Sequence, residues 1–207
     1  MTARARGVVV FWLAITAPAA LAADGYGPAT FDVEARRVEL AQPAFALVRD
    51  ACLAADIDDA LPVPGPVAGL QATSEYGSDQ SAEDFAWSVM VLSGRSLAGD
   101  DGATRALIAG LAGWAEAGAL EDTPTDYDPF YAMKRMLLPT MVGFRIVAAE
   151  MDAGQRATVE AWIDGLVRRL DTEFGGDVDL NNHRYLADLV LMTWGSIVRD
   201  RDLLAKG

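Results

Sequence analysis

The chain has 207 residues, 52% of them hydrophobic, which is ample for one packed core. Its formal net charge is −13, and 30 acidic against 17 basic residues argue against nucleic acid as a partner, because phosphate binding needs a basic face. A single cysteine and a single histidine exclude an intrachain disulfide and a zinc site built from Cys and His side chains.

The first 22 residues predict a secretory signal peptide. A short basic region with Arg4 and Arg6 precedes an apolar core at residues 8–15, which is too short to span a bilayer comfortably. Ala20-Leu21-Ala22 offers a small-residue cleavage signal, and an uncleaved anchor is the alternative. Cleavage would leave 15 basic residues (17 − 2) against 30 acidic ones, a charge of −15. No later stretch is apolar enough to span a membrane, so we expect a periplasmic or secreted protein without an integral membrane segment.

The mature chain, residues 23–207, predicts a single all-α domain. No stretch of it shows the sustained alternation of β-branched residues that is typical of strands. Apolar residues instead recur at helical spacing, and a helix–loop–helix cadence of roughly 25 residues favours stacked antiparallel hairpins. The predicted helices lie at about 32–57, 80–98, 103–119, 128–150, between Asp152 and Gly175, and at about 182–204.

Local signals indicate where these helices begin, bend and end. Pro43 should kink or split the first helix, and Pro139 should bend the fourth or open its backbone. Asp152 is placed to cap the fifth helix, with Gln155 three residues on in the capping-box position. Gly175-Gly176 should stop that helix.

The most informative stretch, Asn-Asn-His-Arg-Tyr at residues 181–185, holds the only histidine and opens the last predicted helix. Asn182 offers two amide donors and a carbonyl, and His183 can take or give a proton near neutral pH. Donors aimed at a developing oxyanion are what proton abstraction next to a carboxyl group requires, and a helix N-terminus favours an anion. The pair therefore fits elimination chemistry. The alternative is an ordinary helix start, with Asn as a cap and His as a surface or core residue.

The two residues after His183 carry weaker signals. Arg184 is as readily a solvated side chain as a binder of a carboxylate. We expect Tyr185 to pack its helix against a neighbour.

Three stretches resemble the mannuronate-type alginate lyases of polysaccharide lyase family five. Residues 181–185 are similar to that family's Asn-Asn-His-x-Tyr signature, and residues 74–79 to its lid-loop segment. Residues 133–139 fall where the family has a helix rich in basic, aromatic and apolar residues. The order and spacing of the three stretches agree over about residues 32–205.

This resemblance implies an α/α toroid and β-elimination on a uronic-acid polymer such as alginate, with no metal or other cofactor required. Asn182 would neutralise the C5 carboxylate, and His183 would be the base or its partner. Tyr76 would be the lid tyrosine that closes over the anionic polysaccharide. The remaining substrate-binding residues would be Lys134, Arg135 and Arg184.

The chain also departs from the family's pattern. Glu75 stands where the family has a lid lysine, and its carboxylate would repel a polyuronate unless it faces away or pairs with Lys134 or Arg135. The family's neutralising Arg and catalytic Tyr follow the Asn-His helix, whereas this sequence stops at Gly207. We therefore expect an incomplete toroid, truncated at its C-terminal side, or a shortened relative. A non-catalytic protein that binds an acidic polysaccharide, and a plain helical interaction domain, are the alternative functions.

Overall fold

The computed structural model describes residues 32–55, 63–71, 80–125, 127–174 and 182–207, and within these ranges it contains helices and no strand. The prediction of an all-α chain is confirmed. The predicted signal peptide and the lid-like loop with Glu75 and Tyr76 lie outside the described residues. In the part of the chain that is described, no helix combines the length and apolarity needed to cross a bilayer.

The helices follow the predicted order. The first predicted helix is split at Pro43, which begins a short 3-10 helix and cannot donate a backbone hydrogen bond to the preceding turn. The bounds are α1 Val33–Leu40, the 3-10 helix Pro43–Phe45, α2 Ala46–Ala54, α3 Gln80–Leu97, α4 Asp101–Glu116, α5 Tyr127–Val147, α6 Ala153–Phe174, α7 Asn182–Val198 and α8 Arg201–Lys206.

The predicted start of α6 is confirmed, and α5 tolerates its internal proline. The Asp152 carboxylate accepts a hydrogen bond from the Gln155 amide at 2.9 Å, which satisfies one amide of the first turn. α5 runs as one helix through Pro139. Because proline has no N–H, the carbonyl of Arg135 one turn earlier lacks its usual intrahelical donor.

The single helix predicted over 182–204 is wrong, because the structure divides it into α7 and α8. Arg199 adopts a positive φ of 60°, and the Asp200 carboxylate then caps α8 by accepting hydrogen bonds from two amides of its first turn. α8 folds back on α7 at Gly195, where a Cβ would lie only 2.9 Å from the backbone nitrogen of Leu204. The spacing of apolar residues continues across the break, so periodicity alone does not reveal it.

The long helices pack in two layers. α3, α5 and α7 lie side by side in one layer, and α4 and α6 lie next to each other in the second. Ring contacts join Tyr131 to His183 and Phe144 to Trp194 in the same order along α5 and α7, so these two helices run parallel. Helices that alternate between two layers are what stacked antiparallel hairpins require.

Buried tryptophans hold α6 and α7 in place through their indole N–H groups. Trp162 of α6 donates to the carbonyl of Ala119 at 2.7 Å. Trp194 of α7 donates to the Asp164 carboxylate of α6 at 3.0 Å and is itself fully buried. A buried indole needs such a partner. The second of these hydrogen bonds helps to fix how α7 lies against α6.

Candidate functional site

The N-terminal half of α5 and the first turn of α7 form the α5–α7 corner, defined by Tyr131, Lys134 and Arg135 of α5 with Asn182 and His183 of α7. Residues three and four apart on a helix share one face, so Tyr131 lies on the same side of α5 as Lys134 and Arg135. The parallel packing of α5 and α7 brings that face beside the Asn-His pair.

The His183 ring packs against the Tyr131 ring. Their centroids lie 4.5 Å apart with an angle of 47° between the planes, within the usual range for aromatic pairs. His183 is half-buried and its Nδ1 is buried, whereas Asn182 is exposed. The corner therefore combines an imidazole held by ring packing with an amide side chain that reaches solvent.

Lys134 lies behind His183 and is fully buried. Its ammonium donates to the backbone carbonyl of His183 at 3.4 Å. The same nitrogen lies 5.8 Å from the centroid of the Phe130 ring and 6.0 Å from that of Tyr131. Burial penalises the charged form and lowers the pKa of Lys134 to about 8. The direct substrate contact predicted for Lys134 stays a prediction, and its burial does not favour it.

The two arginines predicted to bind substrate lie in different surroundings. Arg135 is exposed, with its guanidinium carbon 6.0 Å from the centroid of the Tyr131 ring, so it lies at the corner. Arg184 forms an ion pair with Asp188 one turn along α7, at 2.8 Å. Its availability to a carboxylate ligand stays a prediction.

The prediction that Tyr185 packs against a neighbouring helix is wrong, because its side chain is 69% exposed. Tyr185 follows His183 by two residues, which places it roughly 200° around the helix from the side that faces α5. It therefore points away from the corner.

Tyr131 is the residue of this corner that the sequence prediction missed. The signal was present as a Phe-Tyr pair at 130–131, one helical turn before Lys134. Tyr76, the predicted lid tyrosine, lies outside the described residues. Within those ranges, no three His, Cys, Asp or Glu side chains lie close enough together to hold a metal ion.

Comparison with known proteins gives one clear likeness, which is in the fold. No family model matches the chain, and a search of curated proteins finds no significant match. The structure is similar to that of alginate lyase A1-III from Sphingomonas species A1, with a TM-score of 0.70 and 22% identity. That match covers 85% of this chain and 56% of the lyase.

Two further structures of alginate lyase A1-III, each complexed with a tetrasaccharide, match in the same way. A Tyr-to-Phe variant gives a TM-score of 0.71 at 23% identity, and a His-to-Ala variant gives 0.70 at 22%. Each match covers 85% of this chain and 55% of the lyase. The predicted fold is confirmed: the described helices form part of an α/α toroid, and the chain spans about 55% of the length of the structures it matches.

Proposed function

We propose that this chain belongs to a polysaccharide lyase that cleaves a uronic-acid polymer such as alginate by β-elimination. The observation that carries the proposal is the coincidence of two features. The fold is similar to that of alginate lyases solved with a bound tetrasaccharide, and an Asn-His pair opens a helix beside an aromatic ring in this chain.

In the proposed mechanism, Asn182 neutralises the substrate's C5 carboxylate. Its side-chain amide is exposed at the start of α7, where the helix N-terminus also favours an anion. An N–H donor on the carboxylate stabilises the negative charge that develops there when C5 loses its proton. This stabilisation is the main requirement of the reaction, because a proton next to an ionised carboxylate is a weak acid.

His183, acting as the base or its partner, takes the C5 proton. The electron pair of the broken C5–H bond forms the C4=C5 double bond, and the C4–O4 bond breaks with its pair passing to O4. O4 then takes a proton from a tyrosine. Within this chain Tyr131 is a candidate because its ring contacts His183, whereas the resemblance implies a tyrosine that follows the Asn-His helix.

The remaining roles concern binding and export. Arg135, exposed beside the Tyr131 ring, and Arg184 would bind further carboxylates of the polymer, and Tyr76 would close over it. We also propose that residues 1–22 direct export and that residues 23–207 act in the periplasm or outside the cell.

The test is incubation of the full-length protein that contains this chain with polymannuronate, polyguluronate and polyglucuronate while ultraviolet absorbance of the unsaturated uronate is followed. We expect absorbance to rise with at least one polymer. His183→Ala should lower the rate by about 100-fold or more, the usual contribution of a general base. Arg145→Met, near the far end of α5, is the control and should keep the rate. Absorbance should be followed from about pH 5 to about pH 10, which covers the ordinary titration range of His and perturbed Lys side chains. Absence of a rise with every polymer across this range would contradict the lyase.

The same experiment separates the lyase from a non-catalytic binder of acidic polysaccharide. A binder would show saturable association with an oligouronate and no unsaturated product. That association would survive His183→Ala and weaken as salt screens the carboxylate–cation contacts.

A further inference from the structure

We propose that Lys134 is a positioning residue for the Asn182–His183 turn. Its buried ammonium holds the backbone of His183 and raises the electrostatic potential where a carboxylate would meet Asn182, without touching that carboxylate. The carboxylate part of this inference rests on the proposed function. The part that concerns His183 does not.

The Lys134 ammonium contacts the backbone of the first turn of α7 from the buried side of that turn. Its nitrogen lies 3.4 Å from the His183 carbonyl oxygen, and its side chain is fully buried. Tyr131 contacts both partners, because its ring packs on the His183 ring and lies 6.0 Å from the ammonium. One aromatic ring and one ammonium thus hold the side chain and the backbone of His183 from the same helix.

Packing alone does not account for a lysine at this position. Removing an ammonium from water costs free energy, and a cation near a helix N-terminus adds an unfavourable interaction with the helix dipole. The lowered pKa of Lys134 reflects the first of these costs. A methionine would fill much of the same volume without either cost. Costs of this kind concentrate at functional sites.

Two further cations lie near the aromatic rings that Lys134 contacts. Arg169 of α6 lies over the Phe130 ring, with its guanidinium carbon 5.8 Å from the centroid, and Arg135 lies beside Tyr131. On α7, the Asp188 carboxylate forms an ion pair with Arg184. Among the described residues, the ionisable groups that share contacts here include Tyr131 and Arg135 on α5, Arg169 on α6, and His183, Arg184 and Asp188 on α7.

The first experiment needs no substrate, because the chain has a single histidine whose ring protons give one set of NMR signals. The variant is Lys134→Met, and the matched control is Arg145→Met, which removes one cation about 16 Å further along α5. We expect the His183 signals of the unmodified chain to show an inflection near pH 8, from deprotonation of Lys134. Lys134→Met should lose this inflection and Arg145→Met should keep it.

A third variant, Lys134→Arg, keeps a cation that does not titrate in this range. It should lose the inflection near pH 8 and leave the other His183 shifts close to those of the unmodified chain. An inflection that persists in Lys134→Met and Lys134→Arg would overturn the inference, and so would its absence from the unmodified chain.

The second experiment measures the affinity of a mannuronate trisaccharide. Lys134→Met should weaken binding about tenfold at low salt, with a smaller deficit at high salt, since the effect is electrostatic. Lys134→Arg should restore most of the affinity, and Arg145→Met should keep it. A loss in Lys134→Met that is independent of salt and not restored by Arg would overturn the electrostatic role. If the unmodified chain binds no trisaccharide, the proposed function fails while the NMR result still decides the support of His183.

Discussion

The two ends of the α5–α7 pair differ in what they bury. At the far end, Phe144 packs against Trp194 with ring centroids 5.8 Å apart. At the α5–α7 corner, Tyr131 packs against His183 at 4.5 Å, and an ammonium is buried beneath them. The same two parallel helices therefore carry an apolar contact at one end and a charged, titratable cluster at the other.

This difference indicates that the two ends of the helix pair have different roles. At the far end the polar atom of Trp194 is satisfied by Asp164, and the surrounding contacts are apolar. Such packing stabilises the fold. At the corner, burial of Lys134 opposes folding, and the groups that it brings together suit proton transfer and anion binding.

The largest expected loss of stability comes from breaking the far end. Trp194→Ala should lower the free energy of unfolding by about 3 to 5 kcal/mol, because it removes a fully buried ring and leaves a cavity. Urea unfolding measures this loss. Leu189→Ala, on the same helix but 48% exposed, is the control and should cost much less. Equal losses in the two variants would contradict the comparison.

At the α5–α7 corner, burial of the Lys134 ammonium should lower the stability of the fold, in contrast to the Trp194 packing at the far end. The pH dependence of the free energy of unfolding should reveal this effect. The pKa of Lys134 is about 8 in the folded chain, below the ordinary value of 10.5. Between these values the unfolded chain binds more protons, so the free energy of unfolding rises as the pH rises from about 8 to 10.5. The rise should reach at most about 3 kcal/mol.

Comparison with Lys134→Met isolates this contribution, because other groups titrate in the same range. The chain that keeps Lys134 should gain this stability as the pH rises and Lys134→Met should not, so the difference in their free energies of unfolding should change across this range. Parallel curves across this range would show that Lys134 is not held charged at a cost.

A smaller effect is expected where α7 gives way to α8. Asp200→Ala should cost about 1 kcal/mol, since it removes the helix cap. A hydrogen bond from Arg168, and then the Leu203 amide, lower the pKa of Asp200. Its stabilising contribution should therefore be present at neutral pH and be lost as the pH falls through that lowered pKa. Thermal unfolding of Asp200→Ala and the unmodified chain at neutral and acidic pH measures this, and a difference that is unchanged at acidic pH would refute it.

Local chemistry made much of the fold predictable from sequence. The cap at Asp152 and the split at Pro43 depend on a few neighbouring residues, and both agree with the structure. The turn at Arg199 was missed because a positive φ in a non-glycine residue leaves no mark on apolar spacing. The sequence therefore located most helix boundaries and failed where the backbone departed from the common preference.

The candidate site was only partly predictable, for a different reason. The Asn-His pair is contiguous in sequence, so it could be found directly. Tyr131 reaches His183 only through the packing of two distant helices, and a helical pattern does not say which residues meet across layers. Lys134 was expected to bind substrate because residues 133–139 resemble a basic helix of the alginate lyases; the structure encloses its side chain fully, and direct contact with a substrate stays a prediction.

Gly195 sets a limit on how this chain can vary. Its missing side chain lets the α8 backbone approach α7 closely, and a Cβ there would meet the Asp200 carbonyl oxygen at 3.0 Å as well as the Leu204 nitrogen. Neither atom can move without shifting the α8 backbone. Substitution at 195 should thus be tolerated only together with a shortened or displaced α8, which makes this position a sensitive marker for recognising sequences that share the α7–α8 turn.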